Sequence, residues 1–202
     1  DGSAFHELLS PSGTLALNTW QHVAGTYDGT TERLFLNGVQ IMSSTGTFNV
    51  GNDTYALEIG SSADYPTRTF YGKIDEVRIW NKALAAATIQ ANMNTAYCGN
   101  ETGLVAYYQF DQGVAYGINT GVTTLYDLTG YANNGTLNNF ALSGNTSNWV
   151  PGQTNMGACV PVACPTPILL TTAPAITSVA LGWMNTGAAN YDYEVRSSGA
   201  AG

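Results

Sequence analysis

An all-β chain of short antiparallel strands with one short helix is the fold class predicted here, on three observations. Twenty-three glycines and 12 tyrosines in 202 residues favour tight turns and short strands over long helices. Residues 20–27 and 32–36 alternate in the manner of half-buried strands. Between Leu36 and Val39 stands Asn37-Gly38, the dipeptide favoured in a two-residue type I′ hairpin, whose two turn residues both take positive φ. With 44% hydrophobic and only 10% charged residues, the chain has the apolar content to bury a core and is not of the disordered class.

The elements follow in order. The hairpin joins two antiparallel strands, a third is expected at 56–60 and a fourth at 73–80. Residues 84–93, rich in alanine and free of glycine, read as a short helix that plugs one end of the fold. Residues 104–142 are expected to add further strands, and 150–163, rich in Pro, Gly and Val, to form a linker.

Composition also limits the partners. A net charge of −8 and a pI near 4.4, with six Lys and Arg scattered singly, leave no basic patch for nucleic acid or an anionic membrane. The sequence has no apolar run of the roughly 18 residues needed to span a bilayer. Three cysteines are spaced as neither a zinc ribbon nor a redox Cys-x-x-Cys pair. Three arrangements stay open: a Cys98 to Cys159 closure leaving Cys164 to pair elsewhere, a Cys159 to Cys164 loop, or three free thiols.

Three linked motifs carry a family resemblance. They are Thr19-Trp20-Gln21-His22-Val23-Ala24-Gly25-Thr26-Tyr27-Asp28-Gly29, then Arg33-Leu34-Phe35-Leu36-Asn37-Gly38, then Phe70-Tyr71-Gly72-Lys73-Ile74-Asp75-Glu76-Val77-Arg78-Ile79-Trp80-Asn81. In this order they resemble the second half of a laminin-G-like jelly roll, the concanavalin A-like sandwich that also underlies pentraxins and many bacterial surface proteins. The resemblance implies a jelly-roll β-sandwich over 1–149 that lacks its opening strands, in a family that mostly binds or spaces things. Cys164-Pro165-Thr166-Pro167, with 176–183 and 191–196, resembles the start of a fibronectin type III domain, expected as a partial domain over 164–202. The tandem is similar to the large surface adhesins of gliding and biofilm-forming bacteria, including those exported by type IX secretion. What this implies is a fragment of a secreted, non-catalytic, cell-surface adhesin whose jelly roll binds carbohydrate or serves as a stalk module, with an accessory attachment module of a secreted polysaccharide-degrading enzyme, or a pure structural spacer, as the alternatives. Its expected partners are a surface glycan or polysaccharide and the neighbouring domains of the same chain, with no nucleic acid and no membrane insertion.

The paired acids Asp75-Glu76 are the first candidate for catalysis, since some sugar-cleaving members of the superfamily carry such pairs on one strand. Strand alternation puts Asp75 on the face of Val77 and Ile79, and Glu76 on that of Ile74, Arg78 and Trp80, so the two cannot flank one glycosidic bond. The Glu-x-Asp-x-x-Glu pattern of the family's hydrolases is also missing, and Asp75 is expected instead to be a hydrogen-bonded carboxylate within the sandwich. His6 and His22 have no evident nucleophile partner, and the glycines fall at turns and form no phosphate loop.

Calcium is the expected cofactor, because Asp- and Asn-rich loops offer the oxygens that hard cations take. Asp64 occupies the place where pentraxins put acidic calcium ligands, though Ser61, Ser62 and Ala63 supply few others. Asp111, Asp127 and Asn133 form a second candidate set, with the alternative that Asp127 caps its own loop in an Asx-turn. For carbohydrate, ring faces beside amides and acids are needed, and Tyr65, Tyr71, Tyr131 and Trp149 are the candidate platforms, with Tyr116 also available. Sequons at Asn52, Asn100, Asn134 and Asn145 would mark surface loops in a eukaryotic secreted protein.

Overall fold

The computed structural model describes residues 7–47, 56–62, 69–144, 147–154 and 156–159, and the backbone of 171–174 and 179–182. The chain divides into two compact units, Asp1–Val160 and Pro161–Gly202.

The first unit opens with a three-stranded antiparallel meander, β1 (Val23–Tyr27), β2 (Thr31–Leu36) and β3 (Val39–Thr45). Its centre is the Asn37-Gly38 turn, with φ of 50° and 76°, the double positive φ of a type I′ hairpin. Asn37 does more than turn the chain. Its side-chain oxygen accepts the His22 N–H at 2.9 Å while its own N–H donates to His22 O at 2.8 Å, so the β1–β2 ladder is extended by one side chain. Any Cβ at position 38 would also approach the Gln90 backbone of the helix to 2.9 Å, which fixes glycine there twice over. At the other end of β1, the Asp28 carboxylate takes the N–H groups of Thr30 and Thr31 and pairs with Arg33, closing the β1–β2 turn.

A second pair, β4 (Val77–Trp80) with β5 (Leu104–Tyr108), is antiparallel and carries the core. Ala106, Tyr108, Leu125 and Trp149 form its buried cluster, with Phe140 packed edge-on against Trp149. Gly113 lies so close to the Trp149 indole that a Cβ there would overlap the ring. The helix α1 (Ala86–Asn92) is one turn shorter than the expected 84–93 and buries Ile89. β6 (Thr124–Leu125) and β7 (Gly135–Thr136) make a small ribbon that supplies Leu125 to the core. Antiparallel strands with one short helix are the fold class expected from the sequence.

Three local expectations are corrected. Residues 56–60 enter no ladder; the segment ends in a bend at Gly60 with φ of 89°, whose carbonyl accepts the Phe70 N–H. The strand expected from 73 begins at Val77, because Glu76 sits at φ 56°, in the left-handed region that breaks β alternation. Residues 150–154 and 156–159, within the expected 150–163 linker, are held to this unit. Asp75 accepts the Gln153 N–H at 2.7 Å, Gly157 bridges Thr95 in parallel, and Cys159 is disulfide-bonded to Cys98 with a Cα–Cα distance of 5.3 Å. That pairing is the first of the three cysteine arrangements; Cys164 lies outside the described residues.

In the second unit, β8 (Thr171–Pro174) and β9 (Val179–Gly182) pair antiparallel, Thr171 opposite Gly182 and Pro174 opposite Val179. Of the strands expected at 176–183 and 191–196, the first overlaps β9, and the second lies outside the described residues.

Candidate binding surface

The loop between β6 and β7 is organised by one carboxylate. Asp127 Oδ1 accepts N–H groups from Tyr107 and Thr129, and Oδ2 accepts the Thr129 hydroxyl and the Asn133 N–H, all at 2.8–2.9 Å. Around it, Leu128 N–H donates to Tyr107 O, the Asn133 side-chain amide donates to Val105 O, and Asn134 Oδ1 accepts the Asp127 N–H. The loop therefore closes the edge of β5 that β4 leaves open. Partial burial raises the Asp127 carboxyl, but its hydrogen bonds outweigh this and hold it below the usual carboxylate range.

Such a donor set does not fit calcium. Both oxygens of Asp127 already face N–H and O–H donors, which a cation would have to displace. The Asn133 N–H donates to Asp127, its side-chain amide donates to Val105 O on β5 and its carbonyl accepts the Tyr108 hydroxyl, while Asp111 is exposed beyond the loop. Among the described residues, no group of three or more His, Cys, Asp or Glu side chains could hold a metal ion. The Asx-turn alternative accounts for Asp127; Asp64 lies outside the described residues.

The aromatic candidates separate by exposure. Trp149, expected as a platform, is 3% exposed and belongs to the core, so its ring cannot meet a sugar. Tyr71 is 95% exposed, next to Phe70, whose ring folds back over Gly72. Tyr131 is 65% exposed on the Asp127 loop, where Tyr126 and Leu128 also face solvent. Tyr65 lies outside the described residues.

The paired acids are both committed. Asp75 accepts N–H groups from Gln153 and Glu76, and Gly152 packs so tightly on its carboxylate that a side chain there would collide. Burial raises the Asp75 carboxyl above its ordinary range, and the charges of Asp111 and Glu76 add to this. Glu76 pairs with Arg78 at 2.7 Å and accepts the Tyr107 hydroxyl at 2.5 Å. The Arg78 guanidinium lies 4.4 Å from the centre of the Tyr97 ring and donates to the carbonyls of Asn92 and Thr95, which ties the end of α1 to β4. Burial, then the hydrogen bond to Glu76, pushes the Tyr107 hydroxyl up to about 12. Sequence reasoning kept Glu76 and Arg78 on one face but missed this network. Its signal was an acid and an arginine two residues apart in a run followed by Tyr97 and Tyr107. His22 is held below its ordinary value by burial and then by the Arg78 charge, and it has no acid or nucleophile partner among the described residues.

Residues 2–90 match the family model described as the concanavalin A-like lectin/glucanases superfamily. Two solved structures show local similarity. One is an S-layer domain-containing protein (residues 221–444) from Clostridium thermocellum ATCC 27405, at 30% identity over 41% of this chain and 42% of that one, with a TM-score of 0.36. The other, from Bacteroides ovatus ATCC 8483, is described as a candidate carbohydrate binding protein; identity is 27% over 65% of this chain and 39% of that one, with a TM-score of 0.49. The chain thus spans 42% and 39% of the lengths of these two proteins. No curated protein matches it.

Proposed function

We propose that the first unit is a non-catalytic carbohydrate-binding module of a secreted, cell-surface multidomain protein of the adhesin kind. The observation that carries this is the projection of Tyr71, 95% exposed, from the loop that leads into β4. An isolated tyrosine ring in water gains nothing from that position, whereas a ring face can cover the C–H face of a sugar. Tyr131 supplies a second exposed ring on a loop that Asp127 holds rigid, so little ordering entropy is lost on binding. The match to a lectin and glucanase superfamily over 2–90 supports the sugar class. Because Asp75 and Glu76 both hold structural partners, the reading is binding without hydrolysis. Among the described residues no helix is long and apolar enough to cross a membrane.

In this proposal the second unit, with the β8–β9 hairpin, begins a fibronectin type III domain, and the partners are a surface glycan and the flanking domains. Binding does not use Asp127 as a metal ligand. The test is a glycan array probed with the chain in millimolar calcium and again in chelator. The proposal expects the same glycans bound in both. Loss of binding in chelator would move the site to a calcium loop at Asp64, and no binding in either would make the module a spacer.

A further inference from the structure

The disulfide Cys98–Cys159 closes 61 positions of the chain into one covalent loop, and it does so at the last described residue of the first unit. All four members of the buried cluster, Ala106, Tyr108, Leu125 and Trp149, lie inside that loop. So do β5, β6, β7 and the Asp127 loop with Tyr131. The meander, β4 and α1, with Tyr71, lie outside it. The segment after Trp149 runs back past Asp75 and pairs with the chain just after α1. There Gly157 O accepts the Ala96 N–H at 2.9 Å, and Gly157 N–H donates to Asn94 O at 2.7 Å. Without the disulfide, tension entering at residue 160 would load these few backbone bonds and then the core strands behind them. With it, tension passes from Cys159 to Cys98 and on toward α1 and β4.

We propose that Cys98–Cys159 is a load bypass that keeps residues 99–158, with the core cluster and the Tyr131 loop, out of the path of tension along the chain. The benefit of such a device rests on the reading of the protein as a tethered surface module, but the bypass is read out by mechanics and does not depend on glycan binding. It also gives the two exposed rings different fates, since Tyr131 sits in the shielded segment and Tyr71 in the loaded one.

The test is single-molecule pulling of the 202-residue chain, tethered at both ends and carrying Cys164→Ser to remove competing thiol exchange. Oxidised chains are expected to release about 20 nm less contour length on complete unfolding than chains pulled in reductant, from ~3.5 Å for each hidden residue. Reduction during the experiment restores the missing length, and this comparison needs no variant at Cys98 or Cys159 that could fail to fold. A parallel measurement on the unsubstituted chain reports the alternative pairing, because a Cys159 to Cys164 loop would hide only about 2 nm. Equal lengths with and without reductant, or a shortfall of that smaller size, would overturn the proposal.

Discussion

Two loops of the first unit share a plan and differ in their chemistry. In each, an aspartate ties the loop to another segment and a tyrosine four positions away projects into solvent: Asp75 with Tyr71, and Asp127 with Tyr131. Asp127 receives four hydrogen bonds, and its carboxyl is held below the ordinary range. Asp75 receives two, is half-buried beside Asp111 and Glu76, and its carboxyl is raised. The donors around an aspartate, and not its presence in a polar loop, decide whether it is a charged anchor, a strained acid or a metal ligand.

The comparison breaks most severely at the neighbour of Asp75. Replacing Glu76 by Ala leaves the Arg78 guanidinium without its carboxylate in a site where both side chains are mostly buried. Denaturant unfolding of Glu76→Ala is expected to show a loss of about 3–5 kcal/mol. Asp127→Ala removes four hydrogen bonds from a loop nearer the surface and is expected to cost about 2–3 kcal/mol in the same measurement.

Acidity sharpens the contrast because the two signs are opposite. The folded Asp127 carboxyl lies below its unfolded value of 3.8, so its stabilisation is present above that pH and lost as pH falls through the folded value. The folded Asp75 carboxyl lies above 3.8, so its contribution is present below that pH and lost as pH rises through the folded value. Thermal melts between pH 6 and pH 3 should therefore converge for Asp127→Asn and the parent as the pH drops. For Asp75→Asn, any advantage over the parent should be largest at the upper end. At neutral pH, Asp75→Asn is expected to change stability by less than about 1 kcal/mol, since an amide oxygen can still accept from Gln153. The smallest effects are those of Tyr71→Ala and Tyr131→Ala, within about 0.5 kcal/mol for exposed side chains.

Much of the fold could be read from local chemistry. The type I′ turn at Asn37-Gly38 was legible because only a few residues tolerate two successive positive φ values. The engagement of Asp75 was also legible, though for an incomplete reason: strand alternation was invoked at Glu76, where the backbone is left-handed and a buried ion pair with Arg78 holds it. A left-handed residue held by a neighbour two positions on and by the Tyr107 hydroxyl 31 positions away leaves no periodic trace. Trp149 was misplaced because it follows a polar run, Asn145-Thr146-Ser147-Asn148, that reads as surface, whereas its ring is buried against Phe140 and Gly113. Nor could the competition at Asp127 between cation and backbone be resolved from the loop alone, because one of its hydrogen-bond donors, the Tyr107 N–H on β5, comes from 20 residues earlier in the chain.

The most direct test of the account is a calorimetric titration of the chain, in chelator, with the best glycan from the array, repeated with Tyr71→Ala and Asp127→Asn. Measurable binding by the parent is expected, with an affinity about tenfold weaker for Tyr71→Ala (~1.4 kcal/mol) and a smaller loss for Asp127→Asn, from the loosened Tyr131 loop, at a pH where both fold. Unchanged affinity in Tyr71→Ala, or binding that needs added calcium and vanishes with Asp127→Asn, would contradict the account.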